Sequence, residues 1–369
     1  PKCDVAAHQC IHTMSPPSLP LALLALLACF SPAASLTVAV TGATGNVGRA
    51  AVQRLVADGD CARILLRHEV SSGSAVPPAA DADSSAVASY LVGLPGVEAV
   101  RGDINDPASL RDLLVGCDAV IAAHGARRTR KLSDFWRDPT HDPAHAKNVN
   151  YEGMKSLLAA AAGSGTCKRV VRITGKGETP WSFFSILLNG LGGMAKAWNY
   201  EGERLMRACS VDYTIVRPGV MSARAELPPS SLALADNGGD LKVTPIPPGA
   251  IADLCVDCLR TPNAARATLT AMRSAEPGAG SGSWGQLLAG VRPDRRAFRS
   301  DLLEAHQTAV RVGGTALALA GLALASAAAL AVKAALSAVL PAVLAWPLPA
   351  RLAAAGGLLA VGLLKYGSG

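Results

Sequence analysis

The run TGATGNVG at residues 41–48 places Gly42, Gly45 and Gly48 at three-residue intervals. Glycines so spaced serve phosphate binding by leaving side chains out, so that backbone N–H groups can approach a pyrophosphate. Gly42 allows the tight turn, Gly45 the close approach, and Gly48 the packing of the next helix on the preceding strand. Thr44, Asn46 and Val47 fill the same loop and are counted with the glycines as cofactor-binding residues. Further on, CARILLRH (61–68) ends in Arg67 and His68. At the end of a second strand an acidic side chain suits the ribose hydroxyls of NAD, whereas arginine suits the 2′-phosphate of NADP. Glu69 follows, but Arg67 leads, so NADP is expected in preference to NAD.

These residues need a frame. LTVAV (36–40) reads as a buried parallel strand, and GRAAVQRLVADG carries apolar residues at helical spacing up to Gly59. Strand, glycine turn and helix in that order are the context a dinucleotide loop requires, the helix N-terminus offering free N–H groups to the phosphates. A linker rich in Ser, Ala and Pro (71–88) leads to VEAVRGDIND (97–106), a third strand and turn, and then to the helix PASLRDLLVG. DAVIAAHG (118–125) is a fourth strand. The polar segment 126–147 holds the basic cluster RRTRK, suited to phosphate, an acidic substrate, lipid headgroups or plain solvent. NVNYEGMKSLLAAAAGSG is a helix, KRVVRITG (168–175) a fifth strand and VDYTIVRPG (211–219) a sixth. Alternation throughout predicts an α/β fold with a parallel, doubly wound sheet.

Composition narrows the function classes. The chain has 369 residues, enough for a full core, and half are hydrophobic, mostly at the two ends. Of the formal +7 charge, Arg311, Lys333, Arg351 and Lys365 lie in a C-terminal tail without acidic residues, so the remainder is too weakly basic for a nucleic-acid binder. Only CVDC (255–258) has redox-like cysteine spacing, and its apolar helical setting predicts core packing. His141 and His145 flank a proline, which breaks helical metal spacing, and no metal is expected. Residues 1–35 read as an N-terminal extension and targeting segment. From Met14 a short apolar run leads to small residues near Ala34 and Ser35, like a signal peptide, and ACFSP resembles cleavage sites of proteins sent to complex plastids. Residues 312–332 carry no charge over a length that crosses a hydrocarbon core of about 30 Å. The tail 308–369 is therefore expected in a membrane, with 334–346 and 352–364 as two shorter apolar pieces.

TGATGNVG, RGDINDPASL, DAVIAA, NVNYEGMKSLL and DYTIVRPG, in that order, resemble the atypical, NmrA-like branch of the short-chain dehydrogenase/reductase superfamily over residues 36–275. The resemblance implies a Rossmann domain at 36–300, NADP held by Gly42, Gly45, Gly48 and Arg67, and Asp103 near the adenine. It also implies a small C-terminal region, 219–300, over a substrate cleft. The branch includes reductases, redox sensors and proteins that bind cofactor without turning it over, and plastid members that serve as import or assembly factors. In the superfamily a tyrosine and a lysine four apart lie on the helix after the fifth strand, with a serine at that strand's end. The phenol protonates the carbonyl oxygen as hydride arrives, and the lysine lowers its pKa. Tyr151 and Lys155 have the spacing but lie on the helix before that strand, where the resemblance assigns packing and, for Lys155, cofactor support. At the implied site Thr174 stands for the serine. Aligning MAKAWNYEGERLMRACS on Glu203 puts Asn199 at the lysine position and Ala195 at the tyrosine position. Tyr200 and Lys196 lie close by, so Thr174, Tyr200 and Lys196 are the candidate catalytic residues of a degenerate site.

Two functions follow from different classes. One is a membrane-anchored, NADPH-dependent reductase of a lipophilic carbonyl or enone. The other is a non-catalytic NADP(H)-binding scaffold, redox sensor or assembly factor with protein partners at a plastid or secretory membrane.

Overall fold

The computed structural model describes residues 35–348, except 71–72, 75, 80–81, 136, 223–229, 277 and 346. The targeting segment ahead of Ser35 and the apolar piece 352–364 lie outside the described residues.

Eight strands form one sheet: β1 (Thr37–Thr41), β2 (Cys61–Leu66), β3 (Val97–Arg101), β4 (Ala119–Ala122), β5 (Arg169–Ile173), β6 (Asp212–Pro218), β7 (Leu232–Ala235) and β8 (Ala267–Arg273). Their order is β3-β2-β1-β4-β5-β6-β8-β7, parallel except for β7, which runs antiparallel on β8 at the edge. The chain leaves β1 for β2 on one side and later returns to place β4 on the other. A crevice therefore opens at the carboxyl ends of β1 and β4, where doubly wound sheets bind ligands.

Side-chain alternation builds a core on each face. Val38 and Val40 of β1 join one core with α1 (Asn46–Ala57), α2 (Ser84–Val92) and α7 (Pro248–Arg260). Ala39 and Val120 join the other with α3 (Pro107–Leu114), α4 (Gly153–Gly163) and α6 (Ala195–Ala208). Arg54 of α1 ties that helix to α7 through Asp253 at 3.1 Å and Asp257 at 3.0 Å. Cys255 and Cys258 are fully buried in α7, and burial pushes both thiols up, so they serve the core as their apolar setting predicts.

The structure departs from the sequence reading in several places. The expected linker 71–88 holds the start of α2, because the Asp83 carboxylate accepts from the Ser85 and Ala86 N–H groups and caps a helix that Ser-rich composition obscures. A nine-residue helix, α5 (Phe183–Leu191), precedes α6, and the short α8 (Trp284–Leu288) follows β8. Ahead of α4 the helix begins as a π-segment, Lys147–Glu152. The tail forms one helix, α9 (Leu302–Leu344), of 43 residues with Pro341 inside it, so the pieces 312–332 and 334–346 are continuous as far as Leu344. Within α9, Leu302–Pro341 is long and apolar enough to cross a membrane. Its first turns are anchored by Leu302, His306 and Ala309, all buried, and from Arg311 on no described residue of the helix is buried.

Candidate functional site

The glycine loop is shaped by contacts that admit no side chain. Gly42 has φ +72°, and a Cβ there would lie 2.6 Å from the His124 backbone nitrogen. A Cβ on Gly48 would collide with the Gly42 carbonyl, so α1 can pack this close to β1 only through glycine. Gly45 closes the turn by donating its N–H to the Gly42 carbonyl at 3.0 Å and caps α1 without a side-chain oxygen. The first turn of α1 has no acidic residue, leaving its N–H groups and positive dipole end for an anion. Over this turn reaches Arg127, whose Nη2 would be 3.6 Å from a Cβ on Gly45.

A first cavity of about 320 Å³ opens here, with Gly45, Asn46 and Val47 on one side and the ends of β4 and β5 opposite. A second, of about 440 Å³, lies at the ends of β2 and β3, lined by Arg67, Arg101, Asp103 and Asp106. Asp106 is engaged as the cap of α3, accepting from the Ser109 hydroxyl and from the Ala108 and Ser109 N–H groups, and these bonds hold its carboxyl below its ordinary range. Asp103 accepts from the Asn105 N–H at 2.9 Å, fixing the turn at the rim. Arg101 pairs loosely with Glu69 at 3.9 Å, both being exposed, whereas Arg67 has no carboxylate within ion-pair distance among the described residues. Two guanidinium groups thus lie at the second cavity and a glycine cradle at the first, both at the carboxyl ends of the strands.

The inner wall of the first cavity is built by His124, Arg172, Thr174 and Asn199. His124 Nδ1 shares a 2.7 Å hydrogen bond with Thr41 Oγ1; burial, reinforced by the Arg172 charge, pushes its pKa well down and keeps the ring neutral. Arg172 is fully buried on β5. Its Nη1 donates to the carbonyls of Ala122 at 3.2 Å and His124 at 2.6 Å, and its Nη2 to Asn199 Oδ1 at 3.2 Å. All three acceptors are neutral, and burial lowers the guanidinium pKa to about 10. Thr174 Oγ1 donates to Glu203 Oε1 at 2.7 Å. Glu203 is itself wholly buried: burial works to raise its carboxyl, but Arg217, Arg207 and the Thr174 hydroxyl outweigh this and hold it below its ordinary range.

Of the three candidate catalytic residues only Thr174 lines the cavity; Tyr200 and Lys196 do not, and both reach Gly177. The Tyr200 hydroxyl donates to the Gly177 carbonyl, its ring stacks on His306 of α9 at 5.8 Å, and burial together with Glu203 pushes its pKa up. Lys196 Nζ donates to Ser185 Oγ at 2.6 Å; burial, with Arg217 and Lys176 nearby, lowers it to about 8. Tyr151 packs against Trp198 with ring centroids 5.7 Å apart, and Lys155 is exposed and lines neither cavity.

Sequence reasoning did not single out Arg127, His124, Arg172, Arg101 or Asn150. The cluster RRTRK was the signal for Arg127, but spacing could not show that Arg128 turns inward to Asp134 at 2.5 Å and Asp142 at 2.6 Å while Arg127 faces the glycine loop. Asn150 is buried within the π-segment. Its Oδ1 accepts from the Ala126 N–H at 3.0 Å and its Nδ2 donates to the Ala195 carbonyl at 3.2 Å, tying the cavity loop to the start of α6.

Residues 42–262 match the model of the NAD(P)H-binding family. Over 184 residues the chain is 25% identical to Protein TIC 62, chloroplastic, of Pisum sativum, covering 50% of this chain and 32% of that protein. Over 181 residues it is 28% identical to ceramide reductase of Caulobacter vibrioides, covering 49% and 45%. The chain thus spans less than half the length of these curated relatives. Among solved structures it is similar to a protein of Bacillus halodurans described as an NAD-dependent epimerase/dehydratase (16% identity, 70% and 100% covered, TM-score 0.53). It is likewise similar to an oxidoreductase of Lactococcus lactis (17% identity, 69% and 95% covered, TM-score 0.50). At these identities the structural likenesses show the fold alone. With the family model covering more than half of its length and the glycine cradle at the head of that match, the chain belongs to the NAD(P)H-binding family.

Proposed function

We propose that this protein binds NADP(H) across the two cavities while anchored in a membrane by α9, and that its nicotinamide end is built for binding rather than for proton donation. The observation that carries the reading is the line of guanidinium groups along the cofactor path: Arg67 and Arg101 at the ribose end, Arg127 over the glycine turn. Gly42, Thr44, Gly45, Asn46, Val47 and Gly48 form the phosphate cradle, Arg67 receives the 2′-phosphate, and Asp103 borders the adenine. Lys155 then supports the helix rather than the cofactor. The cofactor would supply hydride, but a reductase must also place a proton donor at the reacting oxygen. Here the phenol and the ammonium are committed to Gly177 and Ser185. This favours a cofactor-binding scaffold or sensor, and the partial likeness to the chloroplast protein agrees with it.

A second reading, reduction of a lipophilic carbonyl or enone, draws on Thr174 and Arg172 in the wall and on the partial likeness to a ceramide reductase. Thr174 would exchange its bond to Glu203 for one to the substrate oxygen, which would take its proton from water while Tyr200 and Lys196 keep their bonds to Gly177 and Ser185. The test is NADPH titration of the full chain in nanodiscs, followed by NADPH consumption with long-chain ketones and enones. Saturable NADPH binding without consumption supports the first reading. Turnover that Thr174→Val abolishes supports the second, and no binding removes both.

A further inference from the structure

Helix α5 has its polarity reversed. The residues it turns inward are Ser185, Ile186 and Asn189, all buried. Their polar atoms have partners: Ser185 Oγ accepts from Lys196 Nζ, and Asn189 Oδ1 accepts from the Lys196 and Ala197 N–H groups while its Nδ2 meets His306 Nδ1 at 3.0 Å. The outward face is apolar. Phe183, Phe184, Leu187, Leu188 and Leu191 are exposed, Phe184 at 71%, and Trp181 just ahead is 59% exposed. A helix facing water shows the opposite pattern, and a contiguous apolar patch of this size marks an interaction surface.

Its position selects the partner. α5 packs on α9 where the latter leaves the folded domain: Ile186 touches Gly313, Gly190 faces Val310, and Asn189 meets His306. Residues 312–332 continue from that level as an uncharged, outward-facing apolar stretch. The exposed face of α5 therefore lies where such a span would enter the acyl region. Basic residues lie near this level, as at an anionic headgroup layer, although Lys131 also stands 3.7 Å from Asp142. Arg130 donates its backbone N–H to the Leu191 carbonyl at the end of α5, Lys131 follows it with 63% of its side chain exposed, and Arg311 is exposed at the start of the apolar stretch.

We propose that α5 is an interfacial helix that inserts Phe183, Phe184, Leu187, Leu188 and Leu191 into a bilayer, with Lys131 and Arg311 against anionic headgroups. This rests on the reading of α9 as a membrane span. A protein partner would also cover apolar residues, but the shared level with the apolar stretch of α9 and the flanking cations favour lipid.

The test uses the full chain in phosphatidylcholine/phosphatidylglycerol vesicles, with photoreactive benzoylphenylalanine replacing Phe184, Leu188, Leu322 or Val76 in turn. Lipid adducts at 184, 188 and 322 and none at 76 are expected. Adducts at 322 with none at 184 or 188 would overturn the docking face while leaving the span intact. Loss of adducts at 322 as well would overturn the span on which it rests. Adducts at 184 to a second copy of the chain or to another protein would overturn the assignment to lipid. In vesicles of phosphatidylcholine alone the yield at 188 is expected to fall, and Lys131→Glu should narrow the difference between the two compositions. An unchanged yield would overturn the role given to the cations.

Discussion

At the scale of residues, cofactor choice turns on charge. Arg67 lines the second cavity without a carboxylate partner among the described residues, so its guanidinium is available to a 2′-phosphate. Charge-assisted hydrogen bonds contribute about 1.5–3 kcal/mol. Arg67→Ala should therefore weaken NADPH binding roughly ten- to a hundredfold and leave NADH binding nearly unchanged, as calorimetry would show. Glu203 makes a different demand. It is wholly buried against Arg217 and Arg207, and Glu203→Gln would leave Arg217 to Glu178 at 2.7 Å and Arg207 to Asp294 at 3.8 Å. Losing its charge-assisted bonds should cost about 1.5–3 kcal/mol, which denaturant unfolding would register as a lower midpoint. Lys196 offers a pH test. Its pKa lies near 8 in the fold against an ordinary 10.5, so between those values the unfolded chain holds a proton that the folded one has lost. Stability should rise with pH across that window, and Lys196→Met should flatten the rise. An equal rise in both proteins would contradict the assignment.

At the scale of elements, the glycine turn and α1 act as one unit. Gly48→Ala puts a methyl group into the Gly42 carbonyl, so it should cost roughly 1–3 kcal/mol and lose cofactor binding, seen as a lower melting temperature that NADPH no longer raises. This unit was legible in the sequence because strand periodicity, glycine spacing and helical periodicity agree within a single stretch. So were β1 to β6 and α7, each an apolar run bounded by turn residues. What escaped did so for physical reasons. α2 is nucleated by an Asp83 cap inside a stretch whose Ser and Ala content reads as linker. α5 has helical apolar spacing in FFSILLNGL, but spacing does not tell that this side faces outward. β7 is a four-residue antiparallel edge strand, fixed by pairing with β8 rather than by its own composition. The cavity wall was legible only in part. Thr174 could be placed from the end of β5, but which way Tyr200 and Lys196 point depends on where α6 meets Gly177 and α5, contacts no linear spacing encodes.

At the scale of the whole molecule, the protein joins a Rossmann-like sheet to one long apolar helix, whose His306 reaches back by a hydrogen bond to Asn189 and by ring stacking to Tyr200. A charge at the centre of the apolar stretch, such as Leu322→Arg, costs about 2.5–3.5 kcal/mol on insertion. That variant should become extractable from membranes by alkaline carbonate while the native chain resists, and equal extraction of both would argue against a span. The central claim, a dinucleotide held along the line of guanidinium groups, is tested most directly by calorimetric titration of the full chain in nanodiscs with NADPH and NADH, native protein beside Arg67→Ala. The expected result is saturable NADPH binding, tighter than NADH, that weakens selectively in the variant. Equal affinity for the two nucleotides and no effect of the substitution would contradict it.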